Sequence, residues 1–166
     1  MNGVEQFCIK HRACDDGAKW AKQYATLADV YDNCKRGDWL IWMLDKANKI
    51  ELEQERLLAI EFAERVLPIF ERRYPNDDRP CKAIEAAKNS SNSRHTAYDA
   101  ARAAYAADAA YAADAAHAAH AAHAAHAAHA AYAAANAADA ADDTSAESKW
   151  QANRIREVIS NPWRTT

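Results

Sequence analysis

From Asp99 to Tyr132 two residues in every three are alanine. The third is in turn Asp99, Arg102, Tyr105, Asp108, Tyr111, Asp114, five histidines (His117, His120, His123, His126, His129) and Tyr132. One added alanine shifts the frame, and the triplet resumes at Asn136, Asp139 and Asp142. Alanine has the highest helix propensity, and no glycine or proline interrupts the stretch. It is therefore predicted to be helical. Drawn straight it would run on the order of 65 Å, too long for a compact domain of 166 residues, so a bend or break is expected within it. The glycines point the same way. They are Gly3, Gly17 and Gly37, with none afterwards, and such a chain lacks the turns of a sandwich or barrel. The predicted fold class is all-α: a single domain, 1–166, built as a bundle of six to eight helices. Within it, 1–88 is one helical part, 94–143 the alanine-rich part, and 144–166 a last helix and tail.

The triplet spacing constrains what the histidines can do. Three residues advance an α-helix by about 300°, so each triplet falls back by about 60°. The larger side chains wind around the helix and form no stripe. The five histidines cannot all face one pocket, although neighbours at i and i+3 can meet. A 3₁₀-helix would stack them, but runs of that length are uncommon. A metal site wants three or four converging ligands, so no specific metal site and no cofactor is expected. A second reading is a response to pH, since imidazoles titrate near about 6.5 and would add positive charge to an acidic stretch. The plainest reading is a repeat expanded within a helix that tolerates these residues. Methyl-only faces would let other helices approach closely.

Outside the repeat, residues 15–36 hold two short helical patterns. Thr26 with Asp29 reads as a capping box opening the second. Gly37 reads as its C-cap, and Asp38 as the cap of the next helix, whose Trp39, Leu40, Trp42, Met43 and Leu44 place it centrally in the core. Residues 50–74 form a long amphipathic pattern with Leu58, Phe62, Val66, Ile69 and Phe70 on one face. Pro68 inside it should bend the helix. "PNDDRP" (75–80) is a turn, with Asp78 able to cap the following helix and Pro80 in its first turn. "NSSNS" (89–93) is a loop. Thr144 and Glu147 suggest another capping box, and Trp150, Ile155, Val158 and Ile159 pack a last helix.

The formal charge of −3 argues against a general nucleic-acid binder. No GxGxxG or phosphate-cradling loop occurs. The absence of a long apolar run and of a signal-like start predicts a cytoplasmic protein. Cys8, Cys14, Cys34 and Cys81 have no CxxC spacing and read as thiols acting as small hydrophobes. No local arrangement pairs a nucleophile with a base, and the chain is not expected to be an enzyme.

Binding is better represented. Arg79 in "DDRP" and Arg164 in "NPWR" stand beside prolines, where a guanidinium can be held for a carboxylate or phosphate. Alternatively, each ties its own turn to Asp77, Asp78 or a helix C-terminus. The candidate ligand-binding set is Arg79, Arg102, Tyr105, Tyr111, His117, His120, His123, His126, His129, Tyr132, Trp163 and Arg164.

The stretch "LLAIEFAERVLPIFERRYPNDDRPCKAIEAAK" (57–88) resembles the opening of a family of bacterial immunity proteins. Its members share a "VLP-x-FE" segment, then "YP-x-D-x-RP" and "AIEAA". A wider group of alanine-rich bacterial and phage proteins is similar over "TLADVYDNCKRGDWLIWML" (26–44), the triplets and "REVISNPWR" (156–164). The family's usual "RPR" is Arg79, Pro80, Cys81 here, so the resemblance does not carry over a second basic contact at that place. The resemblance implies a small helical antagonist of a toxin or defence system, with no catalytic residues. The expected function is thus a non-enzymatic binding protein of immunity or anti-defence type, with a toxin or defence effector as partner. The alternative is a sponge that sequesters a nucleotide-like signalling molecule in a cleft of Tyr, His, Trp and Arg. A histidine-rich metal-binding or structural protein comes third.

Overall fold

The computed structural model describes residues 2–89 and 144–164. Among them are seven helices and no strand: α1 (Gly3–Lys10), α2 (Asp15–Ala21), α3 (Leu27–Asn33), α4 (Gly37–Lys46), α5 (Leu52–Arg73), α6 (Arg79–Asn89) and α7 (Thr144–Val158). The all-α expectation holds. The alanine-rich segment 94–143, with its expected bend and with Arg102, Tyr105, Tyr111, Tyr132 and the five repeat histidines, lies outside the described residues.

α1 was not anticipated. It begins at an ordinary cap, where the Asn2 side chain accepts the Glu5 N–H at 2.8 Å, and it buries Val4 and Cys8. α3 starts as its sequence suggested. The Thr26 hydroxyl accepts the Asp29 N–H at 3.1 Å and donates to the Asp29 carboxylate at 2.7 Å.

The boundary between α3 and α4 differs from expectation. α3 ends at Asn33 with Cys34 as its C-cap, and Gly37 is already the first residue of α4. Asp38 sits in the first turn of α4, gripped by Arg36 through hydrogen bonds of 2.9 and 2.5 Å. Gly37 is required for a different reason from a left-handed turn. A Cβ there would lie 2.6 Å from Gln151 Cβ and 2.7 Å from Gln151 Oε1. The glycine lets α7 cross α4 in near contact.

α5 opens with a capping box in which the Glu51 N–H donates to Gln54 Oε1 at 3.0 Å. It continues through Pro68, which can donate no backbone hydrogen bond. Leu58, Phe62 and Phe70 are buried as expected, together with Ala59 and Ala63; the side chains of Val66 and Ile69 lie outside the described set. After the turn at 74–78, α6 folds back along α5. Pro80 is in its first turn, and the Lys82 N–H donates to the Asp78 carbonyl at 2.9 Å. Arg56 of α5 reaches the Ala87 carbonyl at 2.6 Å, and Lys88 pairs with Glu64.

α7 packs on both α4 and α5. Ala152, Ile155 and Ile159 are buried, and so are two polar residues, Glu147 and Gln151. Burying them is tolerable because they are hydrogen-bonded. Glu147 accepts from Arg65 at 2.6 Å and from Gln151 at 3.1 Å. This corrects the capping box expected at 144–147: Thr144 is already helical, and Glu147 turns towards α5. Further along α7, Arg154 grips Glu61 through two bonds of 2.7 and 2.8 Å.

The end of α7 and the residues after it clasp α3. The fully buried Tyr31 donates its hydroxyl to the Ile159 carbonyl at 2.6 Å. Arg156 donates to the Tyr31 carbonyl at 3.1 and 2.7 Å and also to the Cys34 carbonyl. These are carbonyls at a helix C-terminus, which lack partners within the helix and favour a cation. Asn161 donates to the Ala28 carbonyl at 3.0 Å and to Asp32 at 2.8 Å. Among the described residues no helix is long and apolar enough to cross a membrane.

Candidate functional site

The first four helices leave a cavity of about 500 Å³ between them. α1 contributes Val4, Phe7 and Cys8. The link to α2 brings Arg12, Ala13 and Cys14, and α2 itself brings Gly17, Trp20 and Ala21. Leu27, Val30 and Cys34 come from α3 and its C-cap. α4 closes the space with Asp38, Trp39, Leu40, Trp42 and Met43. Two aromatic pairs make its walls. Trp20 lies 5.7 Å from Trp39, and Phe7 meets Trp42 edge-on at 5.9 Å. The tryptophans that the sequence placed in the core are thus only half-buried, each with a face on the cavity.

Local chemistry positions these walls. The Cys14 thiol stands at the N-cap of α2 and accepts the Gly17 N–H at 3.4 Å. A Cβ at Gly17 would crowd Cys14 Sγ at 3.1 Å but would meet the Trp39 ring of α4 only at the ordinary contact distance of 3.8 Å. All four cysteines are free thiols. Burial raises the Cys8 thiol above its ordinary pKa and pushes Cys34 up to about 11. Cys14 is the exposed thiol of the lining. Two charged residues reach the cavity, Arg12 and Asp38. Asp38 is neutralised by Arg36, whose guanidinium also lies 4.7 Å from the Trp39 ring centroid. Nothing in sequence reasoning found this site. Its signal is a spatial one: four short helices that do not fill the space among them.

The described members of the sequence-predicted set lie elsewhere and are not brought together. Arg79 lines a polar recess with Tyr74, Pro75, Asn76, Asp77 and Asp78. Its guanidinium is held by Asp77 at 2.8 and 2.6 Å, and the Asp77 carboxyl is lowered below the ordinary carboxylate range chiefly by that bond. Arg164 is paired with Asp32 at 2.8 Å. Trp163 packs against Tyr31 with ring centroids 5.6 Å apart. Arg79 thus ties its own turn, whereas Arg164 reaches the Asp32 side chain of α3. Among the described residues no group of three or more His, Cys, Asp and Glu side chains is placed to hold a metal ion.

The remaining helices carry a second kind of information. Residues 47–158, more than half of the chain, match the family model described as Imm-5 like putative immunity protein. The chain belongs to that family. The matched stretch takes in α5, α6 and α7, and so contains the "VLP-x-FE" and "AIEAA" segments whose resemblance pointed to immunity proteins. The match begins after Met43, the last residue of the cavity lining. No curated protein and no solved structure matches the chain.

Proposed function

We propose that this member of the immunity family works as a non-enzymatic binding protein in the cytoplasm, neutralising a toxin or defence effector by occupying its surface. Membership of the immunity family over α5 to α7 carries this reading. The surface of α5 supports it. At about 100° per residue, Glu53, Leu57, Glu64, Pro68 and Glu71 fall on one side of the helix, and all five are exposed. Leu57 is 46% exposed, an apolar anchor within a charged rim in which Glu53 and Glu64 pair with Arg56 and Lys88, which suits a partner with an apolar pocket bordered by polar groups.

Neutralisation by binding has a stoichiometric signature. Cells challenged with candidate bacterial toxins are expected to survive when the protein is co-produced, and protection should fail once the toxin exceeds it. The purified pair should elute as a complex, and Leu57→Glu should weaken both complex and protection. Protection that persists at a large molar excess of toxin, with no complex formed, would mean the protein acts catalytically and the reading is wrong.

A further inference from the structure

α1 ends in a left-handed turn at Arg12, with φ 54°. The Ala13 N–H donates to the Cys8 carbonyl at 2.9 Å and the Arg12 N–H to the Ile9 carbonyl at 3.3 Å. This is the Schellman closure of a helix, whose left-handed position is usually glycine. α4 ends in the same way at Asn48, with φ 51°, through the Lys49 N–H to Leu44 and the Asn48 N–H to Asp45. Asparagine is one of the few side chains that visit this conformation routinely, whereas arginine is not. Arg12 therefore occupies a backbone position that disfavours it, and the same position sets its side chain on the cavity lining.

The charge of the lining sharpens the point. Asp38 is held by Arg36, while Arg12 forms no ion pair among the described residues. One positive charge is left at an otherwise apolar and aromatic space, whose volume is that of a small-molecule site. A nucleotide would need several donors for its phosphates and base, and the lining offers one guanidinium. We propose that this cavity binds a small amphipathic anion, with an apolar or aromatic body among Phe7, Trp20, Trp39 and Trp42 and its acid group on Arg12. The site lies outside the residues that match the immunity family, and it stands or falls separately from toxin binding.

The test uses two fluorescent probes of similar shape, anionic 1-anilinonaphthalene-8-sulfonate and neutral N-phenyl-1-naphthylamine. The anion is expected to bind saturably, one per chain, and to slow alkylation of Cys14 by iodoacetamide. Arg12→Gly relieves the left-handed backbone, so it should melt about 2–4 °C higher while its affinity for the anion falls about tenfold. Arg12→Gln, which keeps a side chain, should show the same loss of affinity without the gain in stability. The neutral probe should bind both variants as it binds the unaltered protein. Unsaturable or multiple binding of the anion, unchanged Cys14 alkylation, or an unchanged affinity in Arg12→Gln would overturn the proposal. An equal loss for the neutral probe would also overturn it, because the effect would then be one of shape.

Discussion

On the side of α3 and α4 that meets α7, Arg156, Asn161 and Arg164 all end on oxygens of α3 or its C-cap, and Gly37 has no room for a Cβ. On the side that meets α1 and α2, the same two helices border about 500 Å³ of open space. The two sides use different residues for different purposes. The tight side joins chain segments far apart in sequence through hydrogen bonds, and those of Arg156 go to carbonyls at the end of α3 that the helix itself leaves without partners. The loose side presents rings and a lone cation. A helix pair held firmly along one face can leave its other face incompletely filled, because the first contact fixes its position.

The comparison breaks most severely at Arg156. Arg156→Ala removes the donor to two carbonyls and leaves them without it, an expected loss of about 3 kcal/mol, read as a lower midpoint of denaturant unfolding. A loss under about 1 kcal/mol would mean that water replaces the guanidinium and that the clasp is loose. Gly37→Ala comes next, because one methyl group must displace Gln151. Overpacking of this kind costs about 1–3 kcal/mol, and the variant should melt lower with its helix content kept.

A smaller effect is expected at Asp32, and it depends on pH. Burial alone would raise this carboxyl, but hydrogen bonds from Asn161 and Arg164 and the nearby Arg156 outweigh it and hold it below its ordinary value. A carboxyl lowered on folding contributes stability above its unfolded pKa of about 3.9 and loses it as pH falls through the folded value. Asp32→Asn should therefore cost less than about 1 kcal/mol at pH 7, and the difference from the unaltered protein should close below about pH 4. A gap that stays constant down to pH 2 would assign the effect to shape. Least of all is expected on the loose side. Ala13→Leu adds more atoms than Gly37→Ala, yet it adds them beside open space, and unfolding should shift by no more than about 0.5 kcal/mol.

What the sequence disclosed follows from which signals are local. Thr26 capping α3, the buried row Leu58, Phe62 and Phe70, and Pro80 opening α6 all depend on neighbours within a few turns, and all were readable. Gly37 was misread because one letter serves two purposes, a left-handed turn and a close helix crossing, and only the position of Gln151 decides between them. Glu147 was misread likewise: its partner Arg65 lies in another helix. α1 has only Val4 and Cys8 buried, too few apolar positions for a period to show. The cavity could not be read at all, since Trp39 and Trp42 look the same in a sequence whether they fill a core or line a void. Arg79 and Arg164 stand beside prolines in the sequence, and the carboxylates they pair with in the fold are Asp77 and Asp32.

The clasp on α3 also sets an order of events. Arg156 and Tyr31 are 125 residues apart in the chain, and Asn161 and Ala28 are 133 apart. During synthesis α3 leaves the ribosome long before the residues that satisfy its carbonyls. Until they arrive, the Tyr31 and Cys34 carbonyls must stay with water, and the seat at Gly37 stays empty. Contacts of such separation require the closure of a long loop before they return anything, which slows folding. The first four helices are thus made early and completed late, and they wait, incompletely folded, for α7.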